Sequence, residues 1–417
     1  MSAPDPGASG RRALLFGTFD VANYGDLLFP IVAAHRLRPL GWEVVPVAPT
    51  MRQTGLEDAL QPHALGRLPG GIAGDAVLIG GGEIVHAWPA AFLEEYRVGD
   101  LPAWAYPSLW LGASLVGALN DLPIVWNAPG VPSPFPEPLR HTAVESALAA
   151  ADYVAVRDDA SMRFLGTGHS ANVTVVPDTV LDLACVWPLE TLAPAYTALA
   201  ARKGIPADAA LLAVHVRTAG LGSLAMEDLA ASIDAFASAR GLTPLLVAIG
   251  PCLHDAEAAR SLSSALTLPH ICLDDPRSLR EIASAIAFSR GYVGNSMHGY
   301  VTALGYGKPG VIVARPAFRK FSGIADHVGR AQDVVREWQD GLARLADTLG
   351  DTVAVPPSVF DALDRHWSAV AAAIADRDAG RDRRAAFLRR YVSSTLGTAG
   401  MGWLLQPVTG RAVVRAA

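Results

Sequence analysis

The sequence predicts an α/β protein built of two doubly wound domains and a C-terminal helical tail. At 417 residues the chain is too long for one ordinary core, and 51% hydrophobic against 18% charged residues are enough to bury two. Short apolar segments alternate with helical segments from residue 13 onwards. We expect an N-terminal domain over residues 1–187, a linker over 188–209, a C-terminal domain over 210–350 and a tail over 351–417.

Charge and cysteine content argue against several classes of protein. The formal net charge of −6 disfavours non-specific binding of nucleic acid. The three cysteines form no CxxC pair and the eleven histidines no HExxH motif, so neither disulfides nor a metal site is expected. No apolar signal region begins the sequence, and its longest apolar run, residues 109–119, is too short to span a membrane. We expect a soluble cytoplasmic protein without a cofactor.

The first strand, residues 13–16, leads into a loop with candidate ligand-binding residues. Asp26 can cap a helix over residues 27–37, and Asn23 and Gly25 come shortly before it. Glycines let the backbone approach a ligand, but the spacing matches neither a GxGxxG nor a Walker A motif. The loop therefore predicts a ligand contact without supporting a nicotinamide or ATP site.

A second glycine-rich loop follows the strand over residues 76–79. Gly81 and Gly82 indicate a backbone pressed against a ligand or against a crossing helix. Glu83 comes next and could accept hydrogen bonds from sugar hydroxyls, with His86 near it. Close packing of a helix on the strand explains the same glycines equally well.

Two charged residues follow later strands of the first domain. Arg157 comes directly after one strand and Asp178 shortly after the next, where a doubly wound sheet has its ligand crevice. A surface ion pair of Arg157 with Asp158 or Asp159 is the alternative. The strands expected after the first are residues 43–47, 76–79, 123–126, 153–156 and 173–176.

The second domain restarts with a strand that ends at Arg217. His215 and Arg217 point to the same side of that strand because its side chains alternate. After the last strand, a basic loop with Arg315, Arg319 and Lys320 suits an anion. We expect strands over residues 211–216, 244–249, 270–273, 291–294 and 311–313, and helices over 191–203, 226–239, 255–266, 278–289 and 358–374.

Residues 291–313 are the most informative stretch, because they predict a strand, a helix and a second strand in one βαβ unit. Asn295 and Ser296 are N-cap residues, and His298 falls in the first turn of the helix. Free backbone N–H groups at a helix start bind anions, so a phosphate beside a histidine fits this loop. A helix cap with a histidine packed behind it is the alternative.

Five short motifs occur along the chain in the order Asn23-Tyr24-Gly25-Asp26, Gly80-Gly81-Gly82-Glu83, Val156-Arg157-Asp158, Pro177-Asp178 and Ser296-Met297-His298-Gly299. Together they resemble the polysaccharide pyruvyl transferase family over residues 13–315. No single motif is decisive, and their order and spacing carry the resemblance.

The resemblance implies two Rossmann-like domains in a glycosyltransferase-B-like arrangement, with phosphoenolpyruvate as the donor substrate. It implies a product in which a pyruvate ketal bridges two hydroxyls of a sugar, in a cell-surface polysaccharide or its lipid-linked precursor. It also implies that His298 is the acid. Many members of the family have an arginine two residues before this histidine, where the present chain has Ser296.

The chemistry of such a transfer accounts for the residue types. The donor becomes electrophilic only when its methylene carbon is protonated, which requires an acid. Arginines bind phosphate and carboxylate groups through paired hydrogen bonds, and Glu83 or Asp178 could act as a base. We count His298, Arg217 and Glu83 as catalytic candidates. The arginines that could bind the donor are Arg157, Arg217, Arg315 and Arg319.

Two other functions stay open at this point. A nucleotide-sugar-dependent glycosyltransferase of the same build would need an acidic residue for the ribose, which Asp274, Asp275 or Glu281 could supply. A non-catalytic glycan-binding relative would explain the absence of an arginine at Ser296.

The tail is basic although the whole chain is acidic. Residues 377–417 hold eight arginines and two aspartates, a net charge of +6, which leaves −12 on the rest of the chain. Phe387, Leu388 and Tyr391 share one helical face with arginines around it. We expect either peripheral docking on the anionic inner face of the membrane or packing on the acidic body of the same chain or a second copy.

Overall fold

The computed structural model describes residues 10–67, 73–166, 172–316 and 319–404. Within these residues the first domain forms a parallel sheet of seven strands in the order β3-β2-β1-β4-β5-β6-β7. Helices cover both faces of its central strands, which is why those strands are continuous apolar runs in the sequence. The strands are β1 (Arg11–Phe16), β2 (Trp42–Ala48), β3 (His63–Ala64), β4 (Ala76–Ile79), β5 (Ile124–Trp126), β6 (Tyr153–Val156) and β7 (Val173–Val175).

The second domain repeats this topology with six parallel strands in the described residues. Their order is β10-β9-β8-β11-β12-β13, so each domain starts at its central strand, adds strands to one side and then crosses to the other. The strands are β8 (Leu211–His215), β9 (Thr243–Val247), β10 (Ile271–Leu273), β11 (Gly291–Gly294), β12 (Gly310–Val313) and β13 (Val334–Val335).

Helices connect the strands and join the two domains. Those before β8 are Tyr24–Leu37, Leu101–Pro107, Ala113–Leu119, Glu137–Leu139, Glu145–Ala150, Asp159–Leu165, Leu183–Val186 and Leu189–Lys203. Those after it are Met226–Ser238, Asp255–Ala265, Leu279–Ala287, Met297–Gly305, Arg319–His327, Trp338–Thr348, Pro357–Ala375 and Arg381–Leu404, the last with a non-helical residue at Gly400.

The strand order decides where a ligand can bind. In each sheet the chain changes direction of growth at its first strand, between β1 and β4 and between β8 and β11. Loops diverge at such a switch point and leave a crevice at the carboxyl ends of the strands. Phe16 pairs with Ile79 and His215 with Gly294, so the loops after these paired strands begin side by side. These are the loops that the sequence marks as ligand-binding.

The two domains meet along this edge and share a continuous apolar core. Tyr24 is central to the contact, because its N–H donates to the carbonyl of Ile249 at 3.0 Å and its buried hydroxyl lies 2.9 Å from that of Thr302. The cleft therefore lies between two closely packed domains.

The helix Pro357–Ala375 returns from the second domain to the first. The sequence predicted this helix over residues 358–374. His366 is buried there between the Asn127 amide oxygen, 2.8 Å away, and the Tyr153 hydroxyl, 3.1 Å away. Trp367 donates to Asp182 at 3.2 Å. This helix ties the end of the second domain to the sheet of the first.

The last helix, Arg381–Leu404, packs on the first domain. Arg384 is fully buried, with its guanidinium 2.9 Å from Asp121 and 3.0 Å from Asp152, and Phe387 joins the first domain's core. For the described part of the tail, the structure thus shows the alternative of packing on the chain's own acidic body. Arg411 and Arg415 lie outside the described residues. Among the residues that the structure describes, no helix is long and apolar enough to cross a membrane.

We predict that Arg384→Met detaches this helix. The change leaves Asp152, whose side chain is 4% exposed, without its buried partner, and breaking a buried ion pair costs about 3–5 kcal/mol. Arg383→Met is the matched control, because Arg383 also binds Asp152 but is exposed, and such pairs contribute about 0–1 kcal/mol. Urea unfolding and proteolysis around residue 380 measure both variants. Equal effects would show that Arg384 does not anchor the tail.

Candidate active site

A small cleft lies where the loops after β1, β4 and β6 face those after β8 and β11. Its cavity of about 80 Å³ is far below the roughly 300–1,000 Å³ of sites for drug-sized ligands. It is lined by Asn23, Asp26, Gly82, Glu83, Arg157, Arg217, Leu253, Asn295, Ser296, Met297, His298, Lys320 and Phe321. The structure therefore brings together most of the predicted site residues, from the segments after six strands: β1, β4, β6, β8, β11 and β12.

His298 enters this cleft from the first turn of the helix Met297–Gly305. Ser296 is the N-cap, and its Oγ accepts a hydrogen bond of 3.3 Å from the N–H of Gly299. The imidazole is 9% exposed and meets the ring of Phe29 edge-on at 5.5 Å. The alternative interpretation of this segment was a helix cap with a packed histidine, and both features are present. The ring of His298 nevertheless also faces the cleft.

Asp178 lies opposite the imidazole, in the other domain. Its Oδ2 is 3.5 Å from His298 Nε2, and its Oδ1 accepts a hydrogen bond of 3.0 Å from the N–H of Val180. Burial would raise the pKa of Asp178, but its contact with His298 and the charge of Arg157 outweigh this and hold the pKa below its ordinary value. Asp178 is therefore a carboxylate at neutral pH, directly beside the imidazole of His298.

Gly25 makes room for the histidine. A Cβ built on Gly25 would overlap Nδ1 and the neighbouring ring atoms of His298. The glycine of the first motif is thus needed because the second domain places a ring directly against its backbone. Gly81 is different, since a Cβ there would press on Phe29, and this position shows the close packing proposed as the alternative for that loop.

Arg157 is buried rather than paired at the surface, so the surface alternative is wrong. It is 4% exposed, and three carboxylates surround it: Glu83 at 3.5 Å, Asp158 at 3.7 Å and Asp178 at 3.8 Å. Burial lowers the pKa of the guanidinium, but these carboxylates outweigh it and raise the pKa. Its Nε and Nη2 have no hydrogen-bond partner among the described residues.

Glu83 reaches across the cleft to Lys320, 2.9 Å away on the second domain. Burial raises the pKa of Glu83, but the charges of Lys320 and Arg157 more than offset this, so the pKa is lowered. A carboxylate with a lowered pKa and a bound lysine is a weaker base than the sequence implied.

Arg217 is held in the cleft by a residue that sequence reasoning missed. Asp255, fully buried, lies 3.1 Å from Arg217 Nε and 2.7 Å from His215 Nε2, and it also accepts from the N–H of Gly250. His215 and Arg217 do share one side of their strand, as predicted. Asn295 also holds Arg217 in place, because its amide oxygen accepts a hydrogen bond of 3.1 Å from the N–H of Arg217. In the sequence, the only indication for Asp255 was its position at the start of a predicted helix.

Asp26 is in the cleft, but it does not cap the helix as predicted. The helix begins at Tyr24, so Asp26 lies within its first turn and accepts hydrogen bonds from Thr18 at 3.0 Å and Asn23 at 2.9 Å. Burial raises its pKa, with the charge of His298 opposing the rise. Asp26 is therefore the cleft carboxyl that holds a proton most readily.

Two predicted anion ligands do not reach the cavity. Arg315 binds the Glu337 carboxylate and the Arg336 carbonyl, and Arg319 stacks over Phe164 at 5.0 Å. Both follow β12, as does Lys320, which lines the cleft. Arg315 and Arg319 stay outside the cleft because their side chains are engaged by these other partners.

The fold and the cleft define a two-domain, glycosyltransferase-B-like protein with a small, charged interdomain site. Comparison with known proteins is more specific: the polysaccharide pyruvyl transferase family model matches residues 23–316. The chain belongs to this family and is a transferase that acts on polysaccharide. No curated protein matches it in sequence.

Solved structures resemble the chain in fold alone. The UDP-GlcNAc 2-epimerase from Neisseria meningitidis, bound to UDP-GlcNAc, has 12% identity over 92% of this chain and all of its own, with a TM-score of 0.51. MnaA from S. aureus, solved with UDP, has 11% identity over 92% of this chain and 97% of its own, also with a TM-score of 0.51. Both share the two-domain architecture described above.

We predict that Gly25→Ala destabilises the protein by about 1–3 kcal/mol, the usual cost of forcing an extra group into a packed site. Gly66→Ala is the control, because a Cβ there meets open space and should change stability by less than about 0.5 kcal/mol. Urea unfolding gives both values. A Gly25→Ala protein as stable as the wild type would mean that His298 does not rest against this glycine.

Proposed function

We propose that the protein transfers the pyruvyl group of phosphoenolpyruvate to two hydroxyls of one sugar and forms a ketal. The observation that carries this proposal is the convergence of Arg157 Nη2 and His298 Nε2 on one cavity. Each buried donor lies 3.5 Å from a carboxylate, Glu83 and Asp178 respectively, but forms no hydrogen bond in the described residues. Buried donors are almost always hydrogen-bonded, so two such donors at one cavity suit an anionic ligand. Family membership supports the same reaction class.

The charges around the cavity suit a small anion with two acidic groups. Arg157 from the first domain and Arg217 from the second can each bind one acidic group of the donor through paired hydrogen bonds. Lys320 supplies a further cation, which compensates for the arginine that Ser296 replaces. Because the donor competes with Glu83 for Lys320, donor binding would release that carboxylate.

In this account His298 is the acid. It protonates the methylene carbon while the first sugar hydroxyl attacks the central carbon and passes its proton to a carboxylate of the cleft. Phosphate then leaves with its bonding electron pair and takes the proton of the second hydroxyl, which closes the ketal. Asp178 acts through His298, because its carboxylate lies 3.5 Å from Nε2 and positions the ring.

Asp26 is better suited than Glu83 or Asp178 to accept the first proton. A base works best when its pKa lies near the operating pH, and burial moves the pKa of Asp26 in that direction. The pKa values of Glu83 and Asp178 are shifted the opposite way.

The residues suggested for a nucleotide ribose are engaged elsewhere. Asp275 and Glu281 bind Arg202 at 2.8 and 2.6 Å, and Asp274 binds Arg260 at 3.0 Å. None of them lines the cleft, and the cavity is small for a nucleotide sugar. These observations favour the phosphoenolpyruvate reaction over a nucleotide-sugar reaction.

The acceptor would be a cell-surface polysaccharide or a lipid-linked precursor, as proposed from the sequence. Contact with the inner face of a membrane then depends on what the tail's packing leaves exposed. Arg389 and Arg390 are exposed on the last helix, whereas Arg384 and Phe387 are buried. Membrane contact through the tail stays a proposal limited to these arginines and to residues beyond 404.

We predict that His298→Gln lowers turnover by about 100-fold or more, because a general acid contributes at least that factor. Phosphate released from phosphoenolpyruvate is measured with a panel of oligosaccharides, and mass spectrometry detects the pyruvylated sugar. His254→Gln is the control, since His254 is exposed and outside the cleft. Normal turnover by a folded His298→Gln protein would remove the acid assignment.

A further inference from the structure

The loop that begins in the cleft at Glu83 carries two exposed aromatic rings farther on. Trp88 is 51% exposed and Phe92 is 56% exposed. Single exposed apolar side chains are common, so exposure alone does not make these two rings a binding surface. What supports the rings therefore decides their meaning.

Two buried rings, His86 and Tyr106, connect Trp88 to Phe92. The His86 ring centre lies 5.0 Å from that of Trp88 and 4.0 Å from that of Tyr106. The Phe92 ring lies 6.1 Å from Tyr106, with their planes 15° apart. We call Trp88, His86, Tyr106 and Phe92 the aromatic row.

The inner members hold the outer ones in place. His86 and Tyr106 are 5% and 7% exposed, so they are fixed by the core of the first domain. The His86 carbonyl accepts from Trp110 at 3.0 Å, and its Nδ1 accepts from the Trp88 N–H at 3.1 Å. A ligand that binds the exposed rings would meet a surface that is already ordered, which lowers the entropy cost of binding.

The aromatic row adjoins the cleft. Trp88 is five positions after Glu83, so their Cα atoms are at most about 18 Å apart. Between them, the Val85 N–H donates to the Gly130 carbonyl at 3.3 Å, and Gly130 lies directly against Arg157 and Glu83 of the cleft. The row thus runs outward from the cleft to the protein surface.

The net charge of the loop that carries the aromatic row favours a sugar over a membrane as its ligand. Residues 83–100 hold four acidic residues and one arginine, a net charge of −3, which repels an anionic lipid surface. A pyranose is uncharged and has C–H groups on its faces and hydroxyls at its edge. Its face can pack on an aromatic ring while its hydroxyls bind water and carboxylates.

We propose that Trp88 and Phe92 bind a pyranose ring of the acceptor saccharide and lead its reacting sugar into the cleft. The proposal rests on the proposed function, because it assigns the bound saccharide as the acceptor of that reaction. It names a saccharide-binding site in the loop after β4, in addition to the donor-binding residues.

Saturation-transfer NMR of the full chain tests the site directly. The probes are the methyl pyranosides of glucose, galactose, mannose and N-acetylglucosamine, each without phosphoenolpyruvate. We expect at least one to receive saturation, strongest at its ring C–H protons, and we expect Trp88→Ala or Phe92→Ala to reduce the signal at least fivefold. Trp88→Phe should retain most of it.

Leu40→Ala is the matched control, because Leu40 is 49% exposed at the opposite end of the strands and should leave the signal unchanged. The proposal fails if no pyranoside receives saturation from the wild type, or if Trp88→Ala and Phe92→Ala both keep the full signal. It also fails if Trp88→Ala instead abolishes binding to phosphatidylglycerol vesicles while no pyranoside binds. A separate titration of the wild type with phosphoenolpyruvate tests the proposed function by itself.

Discussion

A single buried arginine sets the charge balance on which the cleft depends. Desolvating the guanidinium of Arg157 costs several kcal/mol unless carboxylates surround it, and Glu83, Asp158 and Asp178 do so. Two of these carboxylates also face the second domain, where Glu83 meets Lys320 and Asp178 meets His298. The closed cleft therefore completes a network that neither domain contains alone.

This network relates the proposed chemistry to the resting structure. In the proposed reaction, an anionic donor would displace carboxylates that neutralise the cations of the cleft. Lys320 is the clearest case, since its partner Glu83 belongs to the opposite domain. Asp178 differs, because its lowered pKa keeps it a carboxylate and its position keeps it beside His298. In this account Glu83 gives up its lysine partner to the donor, whereas Asp178 stays beside the histidine that transfers the proton.

The sequence predicted the fold more fully than the site. Apolar runs and caps located β11 and the helix after it almost to the residue, because both are local patterns. The two-residue strands β3 and β13 carry no such pattern and were missed. In the site, residues predicted at strand ends beside the switch point lie together in one cleft. Arg315 does not lie there, because its side chain's direction depends on Glu337. Asp255 was missed because its partners are 38 and 40 positions away in sequence.

The central claim is that Arg157 and Arg217, from opposite domains, bind one donor molecule. Calorimetric titration with phosphoenolpyruvate tests it most directly in Arg157→Lys and Arg217→Lys, which keep the charge but lose the planar pair of donors. We predict that each weakens binding by about 1.5–3 kcal/mol, the usual contribution of a hydrogen bond to a charged group. Arg319→Lys, outside the cleft, should bind as the wild type does. Unchanged affinity in both cleft variants would contradict the account.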